Sequence, residues 1–225
     1  MSQMPRFDAS AARTYDKGMP QRVPGYALGL ELAAAVLASR LPVAAHILVV
    51  GAGTGAEILH LAPLQPGWRF TALDISQAML DVARARLAEA GFADRVDFVS
   101  SAMQVAEGLP IHDAGLAQLV TQFVPHAEKP AFYAGIAKAL AEGAPLLSLD
   151  YRPDLFADTT TLRNWALQAG ATPDAADVML SRIKDSWYIP SEKDLTRAWL
   201  GAGLIAEARY MQALAYTGTI LRRQS

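Results

Sequence analysis

Three glycines in five residues mark the segment of the chain that is best suited to hold a ligand by its backbone. Gly51, Gly53 and Gly55 follow the apolar stretch His46–Val50, and a helical pattern begins directly after them. Glycine accepts positive φ angles and has no Cβ to keep a ligand away from the main chain. The first N–H groups of a helix also lack partners within the helix. Because three glycines weaken an ordinary helix start, we expect this loop to bind a ligand.

An acidic residue stands where the next strand is expected to end. Asp74 follows the apolar segment 69–73. Ligands of open parallel sheets bind beyond the carboxyl ends of the strands, and a carboxylate at that place accepts hydrogen bonds from ribose hydroxyls. Asp74 therefore predicts a cofactor that contains ribose. The same charge repels a 2′-phosphate, which disfavours NADP.

The pattern around these residues predicts alternating strands and helices. We expect strands over 46–50, 69–73, 96–99, 116–121 and 145–149, and helices over 26–40, 76–90, 130–140 and 191–202, with one more from the glycines to about residue 61. Two helices around Pro173 fill 154–186, and the strands 206–211 and 214–221 end the chain. This alternation is typical of an α/β, doubly wound, Rossmann-like fold.

The glycine segment fits two cofactor templates. Read as G-x-G-x-x-A, Gly51–Ala56 is a dinucleotide fingerprint; read as G-x-G-x-G, it resembles the loop of S-adenosylmethionine (SAM)-dependent methyltransferases. Nearly fifty residues precede the loop, and FTALDISQAMLDVARARL, residues 70–87, resembles the methyltransferase sequence of strand, Asp and helix. The last two strands resemble the hairpin that closes the methyltransferase sheet. An NAD-dependent oxidoreductase is the rival, and no Tyr-x-x-x-Lys pair supports it.

The chain thus resembles the class I SAM-dependent methyltransferases over most of 45–150 and the final hairpin. The resemblance implies one domain across 1–225 and a seven-stranded sheet in the order 3-2-1-4-5-7-6, with strand 7 antiparallel. It also implies a helical N-terminal segment, 1–42, and a helical insertion, 154–188, that form a lid. One position departs from the family: Val49 replaces the usual acidic residue that helps to hold the amino-acid end of SAM.

A narrower resemblance lies near the N-terminus. Arg22-Val23-Pro24-Gly25-Tyr26 is similar to the R-x-x-P-G-Y stretch of carboxy-S-adenosylmethionine synthases and related small-molecule methyltransferases. It implies that Tyr26 contacts the cofactor. Arg182 lies near the region from which those synthases hold the extra carboxylate of their product. A SAM-modifying enzyme of this kind, or a protein that only binds SAM, therefore remains an alternative to methyl transfer onto a small-molecule acceptor.

The resemblance assigns the residues at the strand ends to SAM. The glycine loop is expected beside methionine and ribose, Ile75 on the adenine, and the residues after the third and fourth strands around the remainder. The complete set is Tyr26, Gly51, Ala52, Gly53, Thr54, Gly55, Asp74, Ile75, Met79, Ser101, Ala102, Met103 and Gln122. A general base is needed only if the acceptor must lose a proton. The candidate catalytic residues are His126, Asp150 and Tyr15.

Composition limits the partners. The chain of 225 residues has a net charge of −2, so it lacks the basic excess that nucleic acid binding requires. There is no cysteine, which excludes a thiol nucleophile, and the four scattered histidines predict no metal site. We find no signal-peptide pattern and no apolar run long enough to span a membrane. These features predict a cytoplasmic enzyme without membrane contact, and a homodimer is left open.

Overall fold

A mixed seven-stranded sheet forms the centre of the computed structural model, which describes the backbone of residues 9–224 and the side chains of 15–224. Residues 1–8 of the expected N-terminal segment lie outside the described residues. The strands are β1 (His46–Val50), β2 (Arg69–Asp74), β3 (Val96–Ser100), β4 (Ala114–Gln118), β5 (Pro145–Tyr151), β6 (Leu204–Ala213) and β7 (Tyr216–Arg223). Their order is β3-β2-β1-β4-β5-β7-β6, and β7 is antiparallel to both neighbours. The predicted fold is confirmed.

The described residues form eight α-helices around this sheet. They are α1 (Ala9–Arg22), α2 (Tyr26–Arg40), α3 (Ala56–Leu61), α4 (Gln77–Glu89), α5 (Lys129–Lys138), α6 (Thr159–Gln168), α7 (Pro173–Ser186) and α8 (Glu192–Gly201). Ser76 is the N-cap of α4, as its position before the helix predicts, and its hydroxyl accepts a hydrogen bond from the Met79 N–H. None of the helices in the described part of the chain has both the length and the apolar character that a membrane span requires.

Three apolar clusters attach the helices to the sheet. One packs α2, α3 and α4 against one face, and a second packs α5 and α8 against the other. The third cluster joins α1, α6 and α7 to the ends of β5 and β7, with Leu149, Tyr151 and Tyr216 at its centre. The helices α1, α6 and α7 therefore lie over the edge of the sheet where the loops after β1, β2 and β4 also emerge.

The fourth strand ends three residues earlier than the sequence pattern predicts. The strand was expected over 116–121, but it ends at Gln118 because Leu119 has a φ of 59°, which breaks the extended backbone. A short 3₁₀ turn, Thr121–Phe123, follows. The residue at the carboxyl end of β4 is consequently Gln118 and not a residue of the turn.

Candidate active site

The glycine loop requires glycine where it turns away from β1. Gly51, Gly53 and Gly55 have φ angles of 68°, 51° and 78°. The N–H groups of Gly51 and Ala52 both donate to the carbonyl oxygen of Leu73, at 2.8 and 3.0 Å, so the loop is fixed to the end of β2. A Cβ at Gly51 would lie 2.2 Å from a methyl carbon of Val120, which leaves no room for a side chain.

Asp74 connects the glycine loop to the start of α4. One carboxylate oxygen accepts a hydrogen bond from the Gly53 N–H at 2.9 Å, and the other accepts from the Ser76 N–H at 2.8 Å. Burial raises the pKa of Asp74, and these two N–H donors oppose the rise. Because each carboxylate oxygen can accept more than one hydrogen bond, Asp74 keeps accepting capacity for a ligand.

A cavity of about 310 Å³ lies at the carboxyl ends of β1, β2 and β4. We call it the glycine-loop cavity. The structure places most of the predicted cofactor residues on its wall. They are Tyr26, Gly51, Ala52, Gly53, Thr54, Asp74, Ile75, Met79, Ala102 and Met103, and Tyr15 lines it as well. Ile75 is more than half exposed at its rim, whereas Met79 and Met103 are buried.

The charged residues of the glycine-loop cavity are all acidic. Asp16, Glu57, Asp74 and Glu128 line it, and the described lining includes no Lys or Arg. Burial raises the pKa of Glu57 to about 7, and the neighbouring charges of Asp16 and Asp74 act in the same direction. A cavity with this lining favours a cation.

Asp16 also joins α1 to the glycine loop. Its carboxylate accepts a hydrogen bond from the Thr54 hydroxyl at 2.6 Å and forms an ion pair with Arg86 of α4. The same guanidinium donates to the Thr54 carbonyl oxygen at 2.8 Å. Sequence reasoning missed Asp16 and Glu57, because their approach to the loop depends on how α1 and α3 pack.

Gln118 is a third residue that the sequence did not single out. It stands at the end of β4, is 6% exposed and lines the glycine-loop cavity. Neither its amide nitrogen nor its amide oxygen has a hydrogen-bond partner in the described structure. A buried amide without partners is costly, so this side chain indicates a polar ligand in the cavity.

A second cavity, of about 260 Å³, adjoins the first. It lies among α1, α6 and α7, and we call it the three-helix cavity. Tyr15, Met19, Leu119 and Phe123 line both cavities, so no other layer of residues separates them. Its lining is largely apolar, and its charged residues are two arginines on α1 and α7.

Gln122 lines the three-helix cavity and not the glycine-loop cavity, where the resemblance assigned it. The shorter β4 explains the difference, since Gln118 occupies the expected place. The Gln122 amide nitrogen donates to the Leu119 carbonyl oxygen at 2.8 Å. Its amide oxygen is buried and has no partner in the described structure.

Of the three candidate bases, Tyr15 is the one that lines these two cavities. Burial raises its pKa to about 12, so the phenol stays protonated at neutral pH and acts as a hydrogen-bond donor. His126 is exposed beyond the turn after β4, and its ring lies 5.9 Å from that of Tyr188. It lines neither cavity.

Asp150 is also placed away from both cavities. It is 3% exposed, and its carboxylate accepts a hydrogen bond from the Ser148 hydroxyl. Burial raises the pKa of Asp150, while Lys129 opposes the rise. The Lys129 ammonium donates to the carbonyl oxygens of Thr121 and Val124. The buried cluster of Ser148, Asp150 and Lys129 therefore holds the loop after β4 in place.

Besides Gln122, two predicted cofactor residues do not line the glycine-loop cavity. Gly55 packs against α4, where a Cβ would lie 3.2 Å from the Ala83 methyl. The Ser101 hydroxyl donates to the Ala102 carbonyl oxygen at 3.2 Å and does not line the cavity. Among the residues that the structure describes, no group of three or more His, Asp or Glu side chains is arranged to hold a metal ion.

The sheet order, the glycine loop after β1 and the acidic residue at the end of β2 define the class I SAM-dependent methyltransferase fold. Residues 47–143 match a family model described as a methyltransferase domain. These residues, which are less than half of the chain, therefore form a methyltransferase domain with the class I fold, whose cofactor is SAM.

Individual relatives agree with this family. A carboxy-S-adenosyl-L-methionine synthase of Campylobacter lari is 33% identical over 92 residues, which cover 41% of this chain and 38% of the relative. The chain spans about a third of the length of the curated relatives that it matches first.

Solved structures share the fold. An O-methyltransferase family protein of Burkholderia thailandensis superimposes with a TM-score of 0.67 at 18% identity, over 98% of this chain and 62% of that one. The magnesium protoporphyrin IX methyltransferase of Synechocystis, solved with bound SAH (S-adenosylhomocysteine), gives a TM-score of 0.66 at 16% identity, over 89% and 84% of the two chains.

Proposed function

We propose that the protein methylates a small, largely apolar acceptor that binds in the three-helix cavity, with SAM in the glycine-loop cavity. The observation that carries the proposal is that the two cavities adjoin and share Tyr15, Met19, Leu119 and Phe123. An acceptor on one side of this shared wall would face a cofactor on the other. Such an arrangement is what in-line transfer between two bound molecules requires.

The lining of the glycine-loop cavity fits SAM in its charge. SAM supplies a methyl group on a sulfonium cation and also carries an ammonium group. We assign Asp74 to the ribose hydroxyls, and Ile75 and Met103 to the adenine. Val49 occupies the position of the acidic residue that usually helps to hold the amino-acid end of SAM. We assign that role to Glu57, because it is the carboxylate that borders the cavity just after the glycine loop.

The same lining argues against a dinucleotide. The pyrophosphate of NAD carries two negative charges, and it would meet four carboxylates and no basic side chain among the described lining residues. Repulsion between like charges in a partly buried site disfavours such a ligand. The glycine loop alone does not distinguish the two cofactors, whereas the side chains around it do.

Catalysis is assigned to positioning and to the exclusion of water. Tyr15 is a donor at neutral pH, and neither His126 nor Asp150 borders the acceptor cavity. The helices α1, α6 and α7 serve as the lid over the acceptor, within a single domain. An apolar lid excludes water from the reacting groups, and two reactants held in contact need no further assistance when the acceptor is already nucleophilic.

A second candidate function is modification of SAM itself, as in the carboxy-S-adenosyl-L-methionine synthases. The observation that favours it is the position of Arg182, which lines the cavity next to the proposed cofactor site. A guanidinium there would pair with an added carboxylate.

The first experiment is calorimetric titration of the protein with SAM, SAH and NAD⁺ in parallel. We expect micromolar binding of SAM and SAH and none of NAD⁺. Transfer of radiolabel from SAM to a panel of phenols, thiols and amines then tests methylation, and mass spectrometry of the recovered cofactor tests modification of SAM. Binding of NAD⁺ alone would overturn both candidates.

Asp74→Asn tests the assignment of the ribose. We expect SAM affinity to fall about tenfold or more, because a hydrogen bond to a charged group contributes about 1.5–3 kcal/mol. Asp81→Asn is the matched control, since Asp81 is exposed on α4 and lines neither cavity. Equal affinities for the two variants would refute the role of Asp74.

A further inference from the structure

The charges of the two cavities differ in sign. The glycine-loop cavity has four acidic residues in its described lining and no basic one. In the three-helix cavity the charged lining residues are Arg22 and Arg182, and no Asp or Glu lines it within the described part of the chain. Because the cavities adjoin, a ligand in one cavity lies next to a ligand in the other at the shared wall. The parts of the two ligands that lie away from this wall face charges of opposite sign.

Neither arginine is neutralised by a carboxylate. The ion pairs of the described residues include neither Arg22 nor Arg182. The Arg22 guanidinium uses one N–H to donate to the Tyr15 carbonyl oxygen at 3.0 Å and stands 5.6 Å from the Tyr15 ring centroid. An arginine has five N–H donors, so both side chains keep donors for a ligand.

The third polar feature of this cavity is the Gln122 amide oxygen. Gln122 is 4% exposed, and its nitrogen is already committed to the Leu119 carbonyl oxygen at 2.8 Å. The oxygen is left buried without a partner in the described structure. A buried acceptor of this kind is satisfied by a ligand that brings a hydrogen-bond donor.

From these features we infer that the ligand of the three-helix cavity is an apolar carboxylic acid that also carries a hydroxyl or N–H donor, its carboxylate held by Arg22 and Arg182 and its donor bonded to Gln122. The remaining lining, which includes Met19, Met179 and Trp187, would pack on an aromatic or aliphatic body. The inference rests on the proposed function and specifies its acceptor.

The test uses the protein saturated with SAH, so that an acid that binds is a second ligand and not part of the cofactor. The probes are hydroxyphenyl-substituted carboxylic acids, each paired with its methyl ester and with its analogue that lacks the hydroxyl. Binding is measured by calorimetry, and transfer is measured with radiolabelled SAM. We expect each binding acid to exceed its ester about tenfold or more in affinity, as charge-assisted hydrogen bonds imply.

Arg182→Gln is expected to remove this preference for the acid, with the affinities for the ester and for SAH unchanged. Lys184→Gln is the matched control. It removes a positive charge from the same helix, but Lys184 does not line the cavity. We expect it to change acid binding by no more than about twofold, because an exposed charge away from the ligand is screened by salt.

Gln122→Met tests the donor independently. The variant should bind the hydroxyl-free acid as well as the unmodified protein does, and it should lose the preference for the hydroxylated acid. A site with a buried acceptor discriminates against ligands that leave the acceptor unpaired.

Two results would overturn the inference. One is a panel in which no acid binds better than its ester; the other is an equal loss of acid binding in Arg182→Gln and Lys184→Gln. Either result, with methylation of neutral acceptors intact, leaves the proposed function standing. Failure of SAM and SAH to bind in the first titration would instead remove the proposed function.

Discussion

The affinity for SAM should depend on pH through Glu57. Glu57 borders the glycine-loop cavity, and burial raises the pKa of its carboxyl to about 7. Only the ionised carboxylate attracts an ammonium group, so a protonated Glu57 must lose its proton before it can pair. The apparent dissociation constant then rises as the competent, ionised fraction falls.

The magnitude follows from that pKa. A group with a pKa of about 7 is about half ionised at pH 7 and about 3% ionised at pH 5.5, so the SAM dissociation constant should rise about fifteenfold over that interval. An ordinary α-ammonium has a pKa of about 7.7–8.0, so the charge of SAM is nearly constant over the same interval. Calorimetry at several pH values in buffers of equal ionic strength measures the change.

Glu57→Gln should flatten this dependence and weaken binding at pH 7 about a hundredfold, because the neutral amide, like the protonated carboxyl, does not pair with the ammonium group. Asp16 and Asp74 remain in the variant, so the difference between the two profiles isolates Glu57. Glu89→Gln is the matched control, because Glu89 is exposed near the end of α4 and lines neither cavity. If Glu57→Gln retains the slope of the unmodified protein, Glu57 does not hold the ammonium.

Three further predictions concern the frame of the site. The folded protein holds the Glu57 proton more tightly than the unfolded chain does, so the free energy of unfolding should fall as pH rises from about 4.5 to 7. Urea unfolding measures this fall, which should be smaller in Glu57→Gln. Gly135→Ala should weaken SAM binding, since its Cβ would lie 2.6 Å from the Met103 carbonyl oxygen; Gly201→Ala, in open space, should not. Lys129→Met should lower the free energy of unfolding by about 2 kcal/mol or more, because two buried carbonyl groups lose their donor, whereas exposed Lys138→Met should have little effect.

Local sequence patterns predicted the sheet because each strand is short, apolar and bounded by clear turn residues. His46–Val50 was predicted with its observed bounds, and α2 likewise over 26–40. The end of β4 was not predictable in the same way. Leu119 adopts a positive φ of 59°, which few non-glycine residues do and which no local signal announces. The sequence pattern therefore assigns Gln122 to the cofactor cavity, whereas the structure has Gln118 there.

Asp150 shows a second limit of pattern analysis. All seven residues of β5 are buried, so its sequence does not alternate between apolar and polar in a way that reveals which face each side chain occupies. The sequence makes Asp150 a candidate catalytic residue, but the structure places its carboxylate in the cluster with Ser148 and Lys129. When both faces of a strand are covered, its sequence does not show to which face a polar side chain points.

The choice between the two cofactor templates depends on residues that lie far apart along the chain. The glycine loop presents the same backbone to a pyrophosphate or to a methionine, so it is compatible with either. Asp16 reaches the loop from α1 and is held there by Thr54 and Arg86. Glu57 comes from α3 and Gln118 from β4, and only the packed fold brings the three side chains to one cavity. The acidity of Asp16 and Glu57 favours a cation, which is the property that separates SAM from a dinucleotide.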